Sequence, residues 1–237
     1  MGQTVEEWFK RYSQERENLS SSPKPRALNE MTNTALAFMA MGTNAVPYLA
    51  DKINQHQELT RLTLLRLRYR QIIPGFLDAL LPKIPSKVGQ GMDAANILAV
   101  YIKPPGEMLI PLVDSALRGT NSAQRTMALL AIRGISSGYG LAQQHLSAGL
   151  NDTNGQIQKL SAMAIRWHGS NGKWAVSNLA VAARTSDLEA LHYVCQALCE
   201  LNTNALPIVP DLRQMLTLET NEDRRVVIGN AINYISR

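Results

Sequence analysis

The C-terminal half of the sequence repeats with a 33-residue period, and no other feature limits the possible folds as strongly. Four apolar motifs begin at Ala131, Ala164, Ala197 and Ala231, at steps of 33, 33 and 34 residues. Four polar pairs follow one another at the same steps: Thr120-Asn121, Thr153-Asn154, Ser186-Asp187 and Thr220-Asn221. Periods of roughly 20 to 50 residues are typical of solenoids and related arrays, so a stack of repeated units is the first expectation.

A second series of polar pairs has the same period and falls between the members of the first: Ser137-Gly138, Ser170-Asn171 and Thr203-Asn204. The two series divide each repeat into two segments of about half its length. Side chains of Ser, Thr, Asn and Asp cap helix starts, because they accept hydrogen bonds from N–H groups that have no partner within the helix. Between the caps, apolar or small residues recur at helical spacing. Each repeat is therefore predicted to be a pair of helices joined by short turns.

Two distant segments, MGTNAVPYL at 41–49 and LNTNALPIV at 201–209, share one pattern. If Asn44 and Asn204 are N-caps, Pro47 and Pro207 fall in the first turn, where a missing N–H costs no hydrogen bond. Gly42 is expected to supply a left-handed exit from the preceding helix. With the 33-residue step, these segments resemble the HEAT repeats of bacterial proteins. HEAT motifs specify packing, so the resemblance implies no catalytic residues.

The predicted fold is all-α: a right-handed α-solenoid, or superhelix, of about six HEAT-like helix pairs forming a single domain over 1–237. Residues 1–25 are predicted to form an N-terminal cap helix and a linker. An irregular insert is expected at 56–87, where three prolines and an extra helix do not fit the period. The last unit is half a pair, so the back of its helix is expected to be exposed unless another chain covers it, at Val226, Val227, Ala231 and Ile235.

The composition agrees with a helical core. Hydrophobic residues make up 45% of the chain and charged residues 18%, which excludes a disordered tail. Aromatic residues make up only 5%, so Leu, Ala, Ile, Val and Met must fill the interior, and three of these favour helices. Uninterrupted apolar stretches stay well below the ~20 residues that a membrane-spanning helix needs, so no span is predicted.

The N-terminus, MGQTVEEWFK, contains no charged-then-apolar leader. Longer members of the family that the repeats resemble often carry a leader or a membrane anchor, which would place the repeats outside the cytoplasm. Localisation therefore stays open between the cytoplasm and an extracytoplasmic compartment.

The net charge of +5 is concentrated in the middle of the chain, because residues 52–103 carry eight basic and three acidic side chains. The predicted helix 61–70 contains most of this excess, with Arg61, Arg66 and Arg70 as candidate anion-binding residues. Guanidinium groups can contact phosphates or carboxylates, so binding of nucleic acid or another polyanion is one functional alternative. The basic stripe does not continue along the repeats, however, as tracking a duplex would require.

Candidates for chemistry are sparse. His56, His145, His168 and His192 are scattered, and no Ser, Cys or carboxylate can be placed opposite His168 by spacing. Cys195 and Cys199 lie four residues apart with no second cysteine pair, so small buried hydrophobic residues are expected there rather than metal ligands. We therefore predict no enzymatic activity, no metal and no cofactor. The resemblance leaves a lyase or a DNA-glycosylase-like HEAT enzyme as a remote alternative, which the low aromatic content disfavours.

The remaining prediction is a non-enzymatic scaffold that binds a protein or peptide on the concave face of the solenoid, with the partner's identity open. Solenoids present a long preformed surface, and the second helices of the pairs are expected to line its inner side. Aligning these helices by the 33-residue step selects outward polar positions that are mixed in charge. They are Gln143, Gln144, Ser147, Ser177, Arg184, Arg213 and Gln214.

Overall fold

The computed structural model describes residues 3–20, 33–55, 86–136 and 138–237. Within these ranges the chain is helical and contains no β-strand, so the all-α prediction is confirmed. None of the described helices is long and apolar enough to cross a membrane. The predicted insert at 56–87 lies almost entirely outside the described residues, as do the linker at 21–25 and His56.

The described residues form twelve α-helices, numbered in chain order. They are α1 (Val5–Ser20), α2 (Asn33–Met41), α3 (Val46–Asn54), α4 (Ser86–Asn96), α5 (Gly106–Arg118), α6 (Ser122–Ile132), α7 (Tyr139–Leu150), α8 (Gly155–Trp167), α9 (Val176–Thr185), α10 (Leu188–Leu201), α11 (Val209–Leu218) and α12 (Glu222–Ile235). A π-helical turn, Ile97–Ile102, extends α4, and 3-10 segments at Gly42–Ala45, Gly169–Ala175 and Asn202–Ile208 precede α3, α9 and α11.

The first series of polar pairs caps the first helix of each pair, as predicted. Asn121, Asn154, Asp187 and Asn221 are the N-caps of α6, α8, α10 and α12, and each side chain accepts a hydrogen bond from a backbone N–H in the first turn. The starts of these four helices keep the spacing of the polar pairs that precede them. The repeat period of the sequence is therefore the spacing between the starts of successive first helices.

The second series behaves differently, and the prediction that Asn44 and Asn204 are N-caps is wrong. Both lie inside 3-10 segments, and the N-caps of α3 and α11 are Ala45 and Ile208, which make no side-chain cap. The 3-10 turn leads directly into the α-helix, so its own i to i+3 bonds occupy the N–H groups that a cap would serve. Pro47 does fall in the first turn of α3, whereas Pro207 lies within the 3-10 segment.

Backbone with positive φ marks the exits of three first helices. Gly42 has the predicted positive φ of 53°, and Gly169 repeats it at 52° after α8. The equivalent residue after α10 is Asn202, at φ 48°. Glycine reaches this region without steric cost because it has no Cβ, so Asn202 is the strained member of the set.

The core runs along the stacked pairs. First helices pack against one another, α6 on α8, α8 on α10 and α10 on α12, and each contacts second helices on its other side. The four repeated alanines, Ala131, Ala164, Ala197 and Ala231, are all buried in this row. Leu146, Leu179 and Leu212 occupy matching buried positions of α7, α9 and α11. Small side chains between the first helices allow close approach, while the leucines fill the space inside each pair.

The two ends of the stack differ from the repeats. At one end, aromatic residues of α1 pack against neighbouring residues: Phe9 is buried, and Tyr12 meets Phe38 and Tyr101 edge to face. At the other end Val226 is exposed and Val227 half-buried, as expected for a last helix. Ala231 and Ile235 are buried, which corrects the prediction, because α12 turns their face towards α10 and α11.

One hydrogen bond recurs in three turns between pairs. The side chain of the residue four positions after the N-cap donates a hydrogen bond to the backbone carbonyl two positions before the N-cap. This bond closes the turn. The bonds run from Arg125 to Gly119 (3.0 Å), from Gln158 to Asp152 (2.8 Å) and from Arg225 to Glu219 (3.0 Å). In α10 this position is Leu191, and Arg224 of the next helix instead donates to the carbonyls of Ala183 and Ser186.

Candidate functional site

The seven predicted binding residues all lie on second helices. Gln143, Gln144 and Ser147 are on α7, Ser177 and Arg184 on α9, and Arg213 and Gln214 on α11. Gln143 and Ser147 are partly buried and the other five are exposed. We call the surface formed by α5, α7, α9 and α11 the second-helix face.

A cleft of about 400 Å³ opens between α5 and α7. Its floor is apolar and is formed by Leu117, Leu129 and Ile157, all buried. Polar side chains surround the floor, among them the predicted residue Gln144 and the unpredicted Arg118. We call this the α5–α7 cleft.

A second cleft, of about 360 Å³, lies between α9 and α11, and we call it the α9–α11 cleft. Arg184 and Gln214 line it, so two further predicted residues meet here. Arg184 Nη2 is 3.7 Å from Asp211 Oδ2, and both side chains are about half exposed. Leu218 and Met215 provide the apolar part of the lining.

Between the two clefts, α7 and α9 are joined by a polar bridge. Asn178 Nδ2 donates to Ser147 Oγ over 2.8 Å, so the hydroxyl of this predicted residue is occupied by its neighbour. Ser147 therefore acts in holding the two helices together. Gln143, Ser177 and Arg213 line neither cleft and lie on the same helices beside them.

The α5–α7 cleft contains a histidine held by a carboxylate. His145 Nε2 lies 3.3 Å from Asp114 Oδ1, and its side chain is largely buried. Burial lowers the pKa of His145 below its ordinary value of 6.5, while Asp114 works in the opposite direction. The burial effect is the larger, so the neutral imidazole prevails at neutral pH.

Each cleft also has an ion pair in its wall. Arg125 Nη2 lies 3.2 Å from Asp152 Oδ2, and Arg224 Nε donates to Glu219 Oε2 over 2.7 Å. The bond from Arg224 is the main cause that lowers the pKa of Glu219 below its ordinary value, so this carboxylate stays charged.

His168 and the two cysteines are packing residues, whereas His192 is exposed. His168 is buried beside Tyr139, whose ring meets it edge to face at 4.8 Å. Burial lowers the pKa of His168 to about 4, so its ring is uncharged at neutral pH. Burial raises the pKa of Cys195 to about 12 and also raises that of Cys199, which keeps both as thiols. Within the described ranges no cluster of His, Cys, Asp and Glu could hold a metal ion.

The candidate anion site, Arg61, Arg66 and Arg70, lies outside the described residues, so it stays a prediction. Several lining residues were not predicted from the sequence, among them Arg118 in the α5–α7 cleft and Asp211 in the α9–α11 cleft. A signal was present for Arg118, because it stands two 33-residue steps before the predicted Arg184.

No protein-family model and no curated protein matches this chain. A crystal structure of an engineered protein from the Northeast Structural Genomics Consortium is similar over 99% of both chains, at 14% identity and a TM-score of 0.46. A likeness at this level does not establish a shared fold.

Proposed function

We propose that the chain is a HEAT-like α-solenoid whose second helices line a concave face. The starts of α6, α8, α10 and α12 recur with the period of the sequence, and these first helices contact one another in chain order. Buried alanines at one position of each repeat support this packing. Units that contact only their neighbours along one direction form a solenoid.

The proposed activity is non-enzymatic binding of a protein or peptide on the second-helix face. The observation that carries the proposal is the pair of clefts, which include three of the predicted residues: Gln144, Arg184 and Gln214. A concave site with an apolar floor and a few polar groups around it is the usual form of a recognition pocket. Its walls are packed helices, so binding does not require the receptor to become ordered.

A peptide fits this face better than a polyanion does. The rim arginines are accompanied by carboxylates: Arg118 Nε donates to Asp114 over 2.8 Å, and Arg184 is near Asp211. A phosphate backbone would meet these acidic groups as well as the basic ones. Polyanion binding relies on several cations in a continuous patch, which the described part of this face does not provide.

Panning a random-peptide phage library against the protein tests this proposal. Selected peptides should bind a Gln144→Ala, Ser177→Ala, Gln214→Ala triple variant at least about tenfold more weakly, because Gln144 and Gln214 line the two clefts and several interface side chains are truncated together. A matched triple variant on first helices, Gln156→Ala, His192→Ala, Asn230→Ala, changes exposed polar residues and should bind normally. Unchanged binding to the first variant, with its helicity intact, would reject the second-helix face.

The basic segment 61–70 supports a second candidate function, binding of a polyanion, on the sequence observation of its clustered arginines. Retention on a heparin column at low salt, lost in an Arg61→Gln, Arg66→Gln, Arg70→Gln variant, would support it. Passage of the unaltered protein through the column at low salt would eliminate it, since phosphate-type binding is strongest there.

A further inference from the structure

The two clefts occupy the same position of the repeat, two repeats apart. Five residues that line the α5–α7 cleft each have a counterpart two 33-residue steps later that lines the α9–α11 cleft. The pairs are Arg118 and Arg184, His145 and Asp211, Ala148 and Gln214, Gly149 and Met215, and Asp152 and Leu218. Sites at equivalent positions of stacked helix pairs lie side by side at a regular separation.

The clefts also share a charge arrangement. In each, one ion pair is shielded in the wall: Arg125 with Asp152, or Arg224 with Glu219. In each, one further arginine stands exposed at the rim, Arg118 or Arg184. Ion pairs between exposed side chains contribute little to stability, so the two rim arginines can exchange their present carboxylates for those of a ligand.

Each cleft is lined by apolar side chains as well as by its rim arginine. They are Leu117, Leu129 and Ile157 in the first cleft, and Met215 and Leu218 in the second. Leu218 is the most exposed large apolar side chain among the described residues. An apolar side chain adjacent to a carboxylate is therefore the ligand element that complements each site.

The repeat between the two clefts lacks this arrangement. Its residue at the arginine position is Asn151, and Asn178, at the position of His145 and Asp211, donates a hydrogen bond to Ser147. This hydrogen bond joins α7 to α9, whereas clefts lie between α5 and α7 and between α9 and α11. The two clefts are therefore separated by one repeat without this arrangement.

The separation of the clefts sets the spacing of the ligand elements. Packed helices lie about 8–10 Å apart, so two repeats correspond to about 16–20 Å. An extended chain advances about 3.3 Å per residue, so five or six residues cover this distance. We infer that the ligand of the second-helix face is an extended peptide with two acidic–apolar residue pairs about six residues apart, whose carboxylates engage Arg118 and Arg184. This inference rests on the function proposed above.

The test uses a fluorescein-labelled peptide with two Glu-Leu pairs, the leucines six residues apart and joined by Gly and Ser. In an anisotropy titration with the full chain, this peptide should bind at least about tenfold more tightly than the same peptide with its leucines three residues apart. In the shorter spacing only one Glu-Leu pair can occupy a cleft at a time. A peptide with Lys-Leu pairs should bind more weakly still, because its ammonium groups meet the rim arginines.

Four variants localise the binding. Arg118→Gln and Arg184→Gln should each weaken the six-spaced peptide by about three- to fivefold, the effect of one exposed charge pair. Arg166→Gln is the matched control. Arg166 pairs with Glu200 of the next first helix, much as Arg184 pairs with Asp211 of the next second helix. The Arg166→Gln variant should bind the peptide with unchanged affinity. Ala148→Trp and Gln214→Trp place a large side chain at equivalent points of the two clefts, and each should abolish the advantage of the six-residue spacing.

The results separate this inference from the proposed function. Equal affinity at both spacings, or binding that Arg118→Gln and Arg184→Gln leave unchanged, overturns the inference. If library-selected peptides still depend on Gln144, Ser177 and Gln214 in that case, the proposed function stands without this inference. If no selected peptide depends on those residues, both fail.

Discussion

At the residue scale, the exit from α10 depends on a side chain in an unfavourable backbone region. Asn202 has φ 48°, where Gly42 and Gly169 stand in the equivalent turns. Asn202→Gly should raise the free energy of unfolding by about 1 kcal/mol through relief of this strain. Asn202→Ala should lower it, because alanine has neither the flexibility of glycine nor the local hydrogen bonding of asparagine. Urea unfolding checks the order Gly, Asn, Ala, and a glycine variant less stable than the alanine variant would contradict it.

Gly134 is required by a close approach between the end of α6 and the segment that follows α4. A Cβ on Gly134 would lie 2.1 Å from the carbonyl oxygen of Ala99, a backbone atom that cannot move aside. Gly134→Ala should therefore destabilise the protein by about 2–3 kcal/mol, a cost of overpacking.

Gly140 provides the matched control for Gly134. It lies in the first turn of α7 with open space where a Cβ would be. Gly140→Ala should stabilise by about 0.5–1 kcal/mol, since alanine favours the helix. Thermal unfolding of the two variants should shift in opposite directions, and equal shifts would contradict the close approach at Gly134.

His168 makes the stability of the fold depend on pH. Its pKa is lowered to about 4 by burial, whereas the unfolded chain binds a proton at the ordinary value of 6.5. The unfolded state therefore gains the proton first. Stability associated with the neutral ring is fully present above pH 6.5 and is lost as the pH falls towards 4, by at most about 1.4 kcal/mol per pH unit.

His168→Phe keeps a ring against Tyr139 and removes the titration. Urea unfolding at pH 7, 6 and 5 should show a smaller loss of stability in this variant than in the unaltered protein. Identical slopes would show that His168 titrates normally in the folded state.

At the scale of elements, the turn between α7 and α8 is closed by Gln158. Its Nε2 donates to the carbonyl oxygen of Asp152 over 2.8 Å, and the side chain is buried. Gln158→Ala should cost about 1–3 kcal/mol, because it leaves a carbonyl without its donor. Gln156→Ala, on the exposed side of the same helix, should change stability by less than about 0.5 kcal/mol. Equal effects of the two substitutions would show that the recurring turn bond contributes nothing.

Helix starts were predictable where their cause was local. A capping oxygen at Asn121 or Asp187 acts within three residues, so periodic polar pairs located α6 and α10 correctly. Asn44 and Asn204 have the same local sequence signal, but each lies inside a 3-10 segment that replaces the cap. Neighbouring residues alone do not decide between these two arrangements.

The clefts were less predictable, because they depend on which side chains meet across helices. Gln144, Arg184 and Gln214 were found from their outward positions on second helices. The bond between Asn178 and Ser147 depends on how closely α7 and α9 approach, which the repeat period does not specify. Burial of Ala231 and Ile235 was missed for the same reason, since it depends on the rotation of α12 against its neighbours.

In the molecule as a whole, the row of first helices and the row of second helices differ in packing. The first helices α6, α8, α10 and α12 are close-packed around buried alanines, and polar contacts join their side chains, such as Arg166 with Glu200 and Lys159 with Glu189. The row of second helices leaves clefts between its members. The first row holds the stack together, and the second is proposed to receive the ligand.

Methyl NMR of leucine- and valine-labelled protein, titrated with a peptide selected from the library, tests this division most directly. Leu141 and Val181 are exposed on second helices (47% and 48%), and Leu188 and Val226 are exposed on first helices (40% and 53%). Ligand on the second-helix face should shift the methyl signals of Leu141 and Val181 and leave those of Leu188 and Val226 in place. Shifts confined to Leu188 and Val226 would place the binding surface on the opposite row and contradict the account.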